Sequence, residues 1–142
     1  MLLYMAAPLF NPMERERNLA LDITLREWGY DTFLPQRDGE LSYTSLQTEA
    51  DITTVRTRIF HKDVHAIKTC DAVIALLDGR VPDEGLCVEL GMAYAWNKPC
   101  VGYKTDARGL DAYGDSLMID GCLTVGKTST LEGLKSLLAQ IG

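Results

Sequence analysis

Residues 72–96, AVIALLDGRVPDEGLCVELGMAYAW, decide the fold of this chain. The unbroken apolar run Ala72–Leu77 predicts a strand that is covered on both faces, as the strands of parallel sheets are. A polar loop, Asp78–Glu84, follows it, and Gly85–Trp96 carries apolar residues at helical spacing. A buried strand leading into a helix is the repeating unit of an α/β fold.

The chain before this stretch begins with the same alternation of strand and helix. The apolar run Leu2–Ala6 predicts a first strand. Asn11 followed by Pro12 predicts a helix start, with Asn11 as the N-cap and proline at the first helical position. The helix continues through Met13–Trp28, and Gly29 stands where a C-cap glycine is expected.

A second strand and a long helix follow before the central stretch. Asp31–Leu34 predicts a short strand that Pro35 ends. Gln36–Thr48 is polar and contains a turn signal, so we expect a long functional loop. Apolar residues at helical spacing then predict a long helix; they are Ile52, Val55, Ile59 and Ile67.

The C-terminal part predicts one more clear strand and a closing helix. Pro99–Tyr103 is apolar and predicts a buried strand, whereas Thr105–Val125 is irregular, with a further short strand expected near Leu123. Thr130–Ile141 predicts an amphipathic helix. We therefore expect one domain, 1–142, with a parallel sheet between helices and a ligand site beyond the carboxyl ends of its strands.

Composition excludes several classes of function. The formal net charge of −6 over 142 residues argues against a nucleic-acid partner, because phosphate backbones are bound by clustered Lys and Arg. No apolar run approaches the ~20 residues that span a bilayer, so we expect a cytoplasmic protein without a membrane partner. His61 and His65 have no evident third ligand, so no metal site is predicted. Four widely spaced cysteines are expected to be reduced; they are Cys70, Cys87, Cys100 and Cys122.

Glu89 is the first candidate for chemistry. It lies within the apolar stripe that Leu86, Leu90 and Ala93 define on its helix, where a carboxylate is costly unless it is used or paired. Near a helix start an anion is stabilised, and an ionised, partly desolvated carboxylate can act as a nucleophile. A structural ion pair with a core Arg would give the same pattern.

Asp63 is the second candidate, because Ile59 and Ile67 flank it at four-residue spacing and place it on the buried stripe of the long helix. Hydrogen bonding to His65 or Lys62 is the structural alternative. Two carboxylates on buried helix faces beside one strand are the usual equipment for cleaving a glycosidic bond, one attacking C1′ and the other handling the proton of the leaving group.

Two further residues stand close to the expected pocket. Asp83 precedes the helix of Glu89 and is either its N-cap or a carboxylate that accepts hydrogen bonds from sugar hydroxyls. Tyr4 lies in the first strand, where packing is the ordinary role, although a buried hydroxyl needs a partner. Dinucleotide-binding, P-loop and serine-hydrolase motifs are absent from the sequence.

Four stretches, taken in order, resemble the nucleoside 2-deoxyribosyltransferase family. They are YMAAPLF (4–10), FLPQRDG (33–39), DVHAIKTCD (63–71) and DEGLCVELG (83–91), and the last is the most specific. The resemblance covers nearly the whole chain. It implies a flavodoxin-like, Rossmann-like three-layer sandwich with a five-stranded parallel sheet.

The resemblance also implies a retaining, two-step exchange of bases on 2′-deoxynucleosides without a cofactor. Glu89 would carry the deoxyribosyl group, Asp63 would assist proton transfer, Tyr4 would orient Glu89, and Asp83 would hold the sugar hydroxyls. We further expect three residues of the matching stretches to contact the substrate, which is a 2′-deoxynucleoside or a free nucleobase; they are Phe10, Gln36 and Gly85.

The family completes its pocket from a neighbouring subunit, which implies a homo-oligomer, at least a dimer. Its usual asparagine is Ser116 here, as in the related 2′-deoxynucleoside 5′-monophosphate N-glycosidases. Those relatives tend to carry a serine in place of Asp83, and an acid there would repel a 5′-phosphate. The transferase is therefore favoured over a hydrolase and over a non-catalytic nucleotide-binding module.

Overall fold

Five parallel strands form one sheet in the order β2-β1-β3-β4-β5. The computed structural model describes residues 1–39, 48–109 and 114–141. The strands are β1 Leu2–Ala6, β2 Asp31–Phe33, β3 Ala72–Leu76, β4 Cys100–Tyr103 and β5 Gly126–Thr128. The helices are α1 Pro12–Glu27, α2 Pro35–Asp38, α3 Glu49–Thr69, α4 Glu84–Ala95, α5 Leu117–Cys122 and α6 Leu131–Leu138. The predicted flavodoxin-like sheet is confirmed.

The sheet is covered on both faces, because alternate side chains of each strand point to opposite sides. Tyr4 and Val73 pack with α3 and α4 on one face. Leu3 and Ile74 pack with α1 and α6 on the other. All five residues of β3 are buried, which confirms the double coverage that its apolar run predicts.

The ends of α1 follow the predicted capping chemistry. The Asn11 side chain accepts a hydrogen bond from the Glu14 amide, and the Glu14 side chain bonds back to the Asn11 amide, which forms a capping box. Pro12 occupies the first helical position. Gly29 follows the helix with φ of +89°, a conformation that glycine adopts without steric cost.

Two segments differ from their prediction. The short strand expected near Leu123 is β5, which begins three residues later, and the helix α5 lies within the segment that was expected to be irregular. Leu123 is buried on the face of the sheet that packs with α3 and α4, but it is not part of a strand. β5 joins β4 through backbone pairing that begins with Val101 opposite Gly126. None of its three residues is buried, so no apolar run marks this strand in the sequence.

The predicted loop Gln36–Thr48 begins as a helix. Pro35 ends β2 but also starts α2, since its fixed φ suits the first turn. Thr48 at the far end is the N-cap of α3, where its side chain accepts a hydrogen bond from the Asp51 amide. The remainder of the prediction, 40–47, lies outside the described residues.

Across the described parts of the chain, none of the helices combines the length and the apolar character that crossing a membrane requires.

Candidate active site

A cavity of about 220 Å³ lies beyond the carboxyl ends of β1, β2 and β3. β2 and β3 flank β1 on opposite sides, so the strand order reverses direction at β1. The cavity therefore lies at the predicted topological switch point. Residues after β1, both ends of α2, one face of α3 and the start of α4 line it. Three carboxylates are among the lining residues: Asp63, Asp83 and Glu89.

Glu89 lines the cavity and is hydrogen-bonded to the buried Tyr4. Tyr4 is 0% exposed, and its Oη donates a hydrogen bond of 2.6 Å to Oε1 of Glu89. The Tyr4 ring stacks on Phe33 with 5.5 Å between ring centroids. Tyr4 lies in β1, the strand between β2 and β3, and reaches Glu89 from the sheet.

Burial dominates the electrostatics of Glu89. It raises the pKa of the carboxyl to about 8, with the hydrogen bond from Tyr4 acting in the opposite direction and the charges of Asp63 and Asp83 adding to the rise. The expected help from the helix start is small, because Glu89 is the sixth residue of α4 and the dipole effect falls off within the first turn. Burial and the neighbouring Glu89 also raise the pKa of Tyr4.

Asp63 faces the same cavity from α3. Burial raises its pKa to about 6, against the lowering effect of Lys62. Its Oδ1 is buried and has no hydrogen-bond partner among the residues that the structure describes. A buried carboxylate oxygen without a partner is costly, so a ligand that donates a hydrogen bond in the cavity would be stabilised there.

Asp83 takes the capping role that its position suggested and also faces the cavity. It is the N-cap of α4, where Oδ2 accepts a hydrogen bond of 3.0 Å from the Leu86 amide, and it lines the cavity. Gly85 also lines the cavity, and a Cβ on it would stand 3.0 Å from Asp83 Oδ2. Phe10 lies at the rim of the cavity and is 76% exposed.

Two of the predicted substrate-binding residues lie elsewhere. The Gln36 side chain turns to α1, where Nε2 donates to the Arg15 carbonyl oxygen and Oε1 accepts from Asn18, both at 2.9 Å. Ser116 is the N-cap residue of α5, makes no side-chain capping bond and does not line the cavity of its own chain.

Sequence reasoning did not predict six of the lining residues as site residues; they are Ala7, Leu9, Pro35, Gly39, Ile59 and Leu86. Ile59 lies four residues before Asp63 on the same helix, so the stripe that located Asp63 also contains it. Pro35 directly follows the second strand, as site residues of such sheets do.

Within residues 1–39, 48–109 and 114–141, no three His, Cys, Asp or Glu side chains come together as metal ligands.

The profile of one protein family, nucleoside 2-deoxyribosyltransferase, matches residues 3–134. The nucleoside deoxyribosyltransferase of Limosilactobacillus fermentum is 27% identical over 136 residues, which covers 92% of this chain and 78% of the relative.

Solved structures share the fold. The 2-deoxyribosyltransferase of the psychrotolerant bacterium Bacillus psychrosaccharolyticus is similar with a TM-score of 0.79 and 22% identity, covering 99% of this chain and 96% of that one. The CMP N-glycosidase of Clostridium botulinum is similar with a TM-score of 0.55 and 20% identity, covering 99% and 97%. Because the family profile spans residues 3–134 of 142, this chain belongs to the nucleoside 2-deoxyribosyltransferase family.

Proposed function

We propose that this protein exchanges the base of 2′-deoxynucleosides through a covalent deoxyribosyl intermediate on Glu89, with retention of configuration at C1′. The single observation that carries the proposal is the hydrogen bond from Tyr4 to Glu89, whose carboxyl group lines the same cavity as Asp63. Membership of the family agrees with it.

In the first step, the ionised carboxylate of Glu89 attacks C1′ while the bond from C1′ to the base nitrogen breaks. The electron pair of that bond goes to the base, which takes the proton from the carboxyl group of Asp63. The hydroxyl of Tyr4 leaves one carboxylate oxygen of Glu89 free to attack, because it holds the other at 2.6 Å.

In the second step, a different base enters the position that the first one left. Asp63, now a carboxylate, accepts a proton from the nitrogen of the incoming base. That nitrogen attacks C1′, the ester bond to Glu89 breaks, and the carboxylate is released. Two inversions give net retention, as in retaining glycosidases. A sugar without a 2′-hydroxyl forms the oxocarbenium-like transition state more readily.

Burial supports proton exchange by Asp63 but disfavours the ionised Glu89 that the first step requires, so the reactive form is the less populated one, with the proton on Asp63 and none on Glu89. A pKa of about 6 for Asp63 places it close to neutral pH, where a group can both give and take a proton. The partnerless Oδ1 of Asp63 provides the contact to the base. Asp83 accepts hydrogen bonds from the sugar hydroxyls, beside Gly85, and Phe10 covers the substrate at the rim.

A second copy of the chain supplies the remaining contacts. Leu117 and Met118 on α5 are 80% and 71% exposed, which is unusual for neighbouring large apolar residues. Ser116 directly precedes them and does not line its own cavity. In a homo-oligomer that buries this segment, Ser116 reaches the sugar in the neighbouring subunit.

Hydrolysis of the same bond is the second candidate function. Water in place of the acceptor base would release free deoxyribose from Glu89. The fold is shared with a CMP N-glycosidase, although with a lower TM-score than with a deoxyribosyltransferase. A non-catalytic nucleotide-binding module, the third, would leave the substrate intact.

One assay separates the three. The protein is incubated with 2′-deoxyinosine and adenine, and the products are separated by chromatography. Transfer predicts 2′-deoxyadenosine and hypoxanthine; hydrolysis predicts hypoxanthine and free deoxyribose with no new nucleoside. Glu89→Gln should abolish the reaction, while Glu84→Gln, an exposed glutamate of the same helix, should leave it unchanged. Substantial exchange by Glu89→Gln would refute the mechanism.

A further inference from the structure

Two walls of the cavity are formed by segments that follow different strands. One is the segment 7–10 after β1, and the other is α2 with Gly39 after β2. The pairing of β1 with β2 extends only to Tyr4 and Phe33. The strand ladder therefore ends before either wall begins, and other bonds must fix the distance between them.

A buried amide on α1 joins the two walls. Asn18 is 0% exposed, and its Nδ2 donates to the carbonyl oxygen of Pro8 at 2.8 Å and to Oε1 of Gln36 at 2.9 Å. Gln36 in turn donates to the carbonyl oxygen of Arg15 at 2.9 Å. Both ends of the Gln36 amide are used, and neither faces the cavity.

We infer that Asn18 and Gln36 are positioning residues: their hydrogen bond holds the wall after β1 and the wall after β2 at a fixed separation and thereby sets the affinity for the nucleoside, while Gln36 makes no substrate contact. The kinetic part of this inference rests on the proposed function. It differs from the sequence-based expectation that Gln36 binds the substrate.

The bond is expected to matter because its donor, Asn18, is fully buried and the bond itself is partly buried. Removal of one partner leaves the other polar group unsatisfied in a low-dielectric environment, and the structure relaxes by moving one wall. Glu89 and Asp63 lie on α4 and α3, outside both walls. Loss of the bond should therefore raise KM and change kcat by less than about twofold.

The kinetic test is a double-mutant cycle of Asn18→Ala and Gln36→Ala, measured with a purine and a pyrimidine deoxynucleoside. Each single variant should raise KM about three- to tenfold for both donors, because one net hydrogen bond is lost. In the double variant the two losses should fall clearly short of multiplying, since the bond that the two side chains share is already lost in each single variant. Gln140→Ala, a glutamine on the distant end of the chain, is the matched control.

Three results would overturn the inference. Losses that multiply in the double variant would mean that the two side chains act separately. A loss in Gln36→Ala that is confined to one base would make Gln36 a substrate contact. A lower melting temperature with an unchanged KM of the folded variant would mean that the pair only stabilises the fold.

A second measurement does not depend on turnover. Hydrogen exchange should be faster at the amides of Asp38 and Gly39 in Asn18→Ala, although these amides bond within α2 and its flanks and do not contact residue 18. If Asn18→Ala does not fold, Gln36→Ala gives the reciprocal result at the Phe10 amide, which donates to Glu14.

Unchanged exchange in the opposite wall would refute the link whatever the activity. Coupled exchange in a protein that neither transfers nor hydrolyses would keep the link and refute the proposed function.

Discussion

Replacement of Tyr4 by Phe should shift the pH dependence of the reaction. The substitution keeps the ring that stacks on Phe33 and removes only the hydroxyl that donates to Glu89 at 2.6 Å. That hydrogen bond lowers the pKa of Glu89, which burial raises to about 8. Its loss therefore raises the pKa further, and less of the carboxylate is ionised at any given pH.

The magnitude follows from the value of the bond. A hydrogen bond to an ionised group contributes about 1.5–3 kcal/mol, and one pKa unit corresponds to about 1.4 kcal/mol, so the pKa of Glu89 should rise by roughly one to two units. At pH 7 the ionised fraction, and with it kcat/KM, should fall about 10- to 100-fold. At pH 9.5 the ratio of variant to wild type should recover to within about fivefold.

The assay is base exchange at saturating acceptor from pH 5.5 to 9.5, with kcat/KM for the donor compared at each pH. Tyr94→Phe, an exposed tyrosine of α4, is the control and should match the wild type throughout. A loss in Tyr4→Phe that is the same at every pH would refute the reasoning, because it would mean that Tyr4 only positions Glu89 and does not set its ionisation.

Three other substitutions test the charges and the assembly. Glu89→Gln should change the pH dependence of stability. Glu89 loses its proton near its ordinary pKa of 4.5 in the unfolded chain and only near 8 in the folded protein, so between these values the unfolding free energy of the wild type, relative to that of the variant, should fall by up to about 1.4 kcal/mol per unit of rising pH. Urea unfolding at several pH values measures this, and a constant difference between the two proteins would contradict it. Asp63→Asn should lower kcat for purine release about 100-fold or more with little change in KM, and an effect on KM alone would argue against a role in proton transfer. Leu117→Asp should yield a smaller species in sedimentation and lose exchange, whereas Ile23→Asp, at an exposed position on α1, should do neither; an active Leu117→Asp monomer would exclude a shared site.

The sequence predicts the part of the fold in which the apolar pattern and the secondary structure coincide. The run Ala72–Leu77 and the stripe of Leu86, Leu90 and Ala93 are buried as expected, and Glu89 takes its place between those helix residues. Asp63 is found at the cavity for the same reason. In each case, one face of a helix must be buried, and a carboxylate on that face departs from the apolar pattern.

Two elements of the C-terminal third, α5 and β5, escape this reasoning because they do not depend on apolar patterning. β5 has three residues and joins the sheet by backbone bonds alone, while the buried Leu123 packs onto Gly102 from outside the strand. α5 has six residues, lacks a side-chain N-cap and contains Gly121. Nothing in local propensity distinguishes such short elements from a loop.

The side chain of Gln36 and the ionisation of Glu89 depend on tertiary contacts. The partner of Gln36, Asn18, is 18 residues away and on another element. The pKa of Glu89 reflects burial deep in α4 and the approach of Tyr4 from a strand 85 residues distant in sequence. Neither contact can be derived from the spacing of residues in the sequence.

The central claim, a deoxyribosyl group carried by Glu89, is tested most directly by mass spectrometry of the protein. The enzyme is mixed with 2′-deoxyinosine without an acceptor base, quenched in acid and digested. The account predicts the added mass of one deoxyribosyl group on the peptide that contains Glu89, which disappears when adenine is added before the quench. An unmodified Glu89 peptide under conditions in which new nucleoside accumulates would contradict the account.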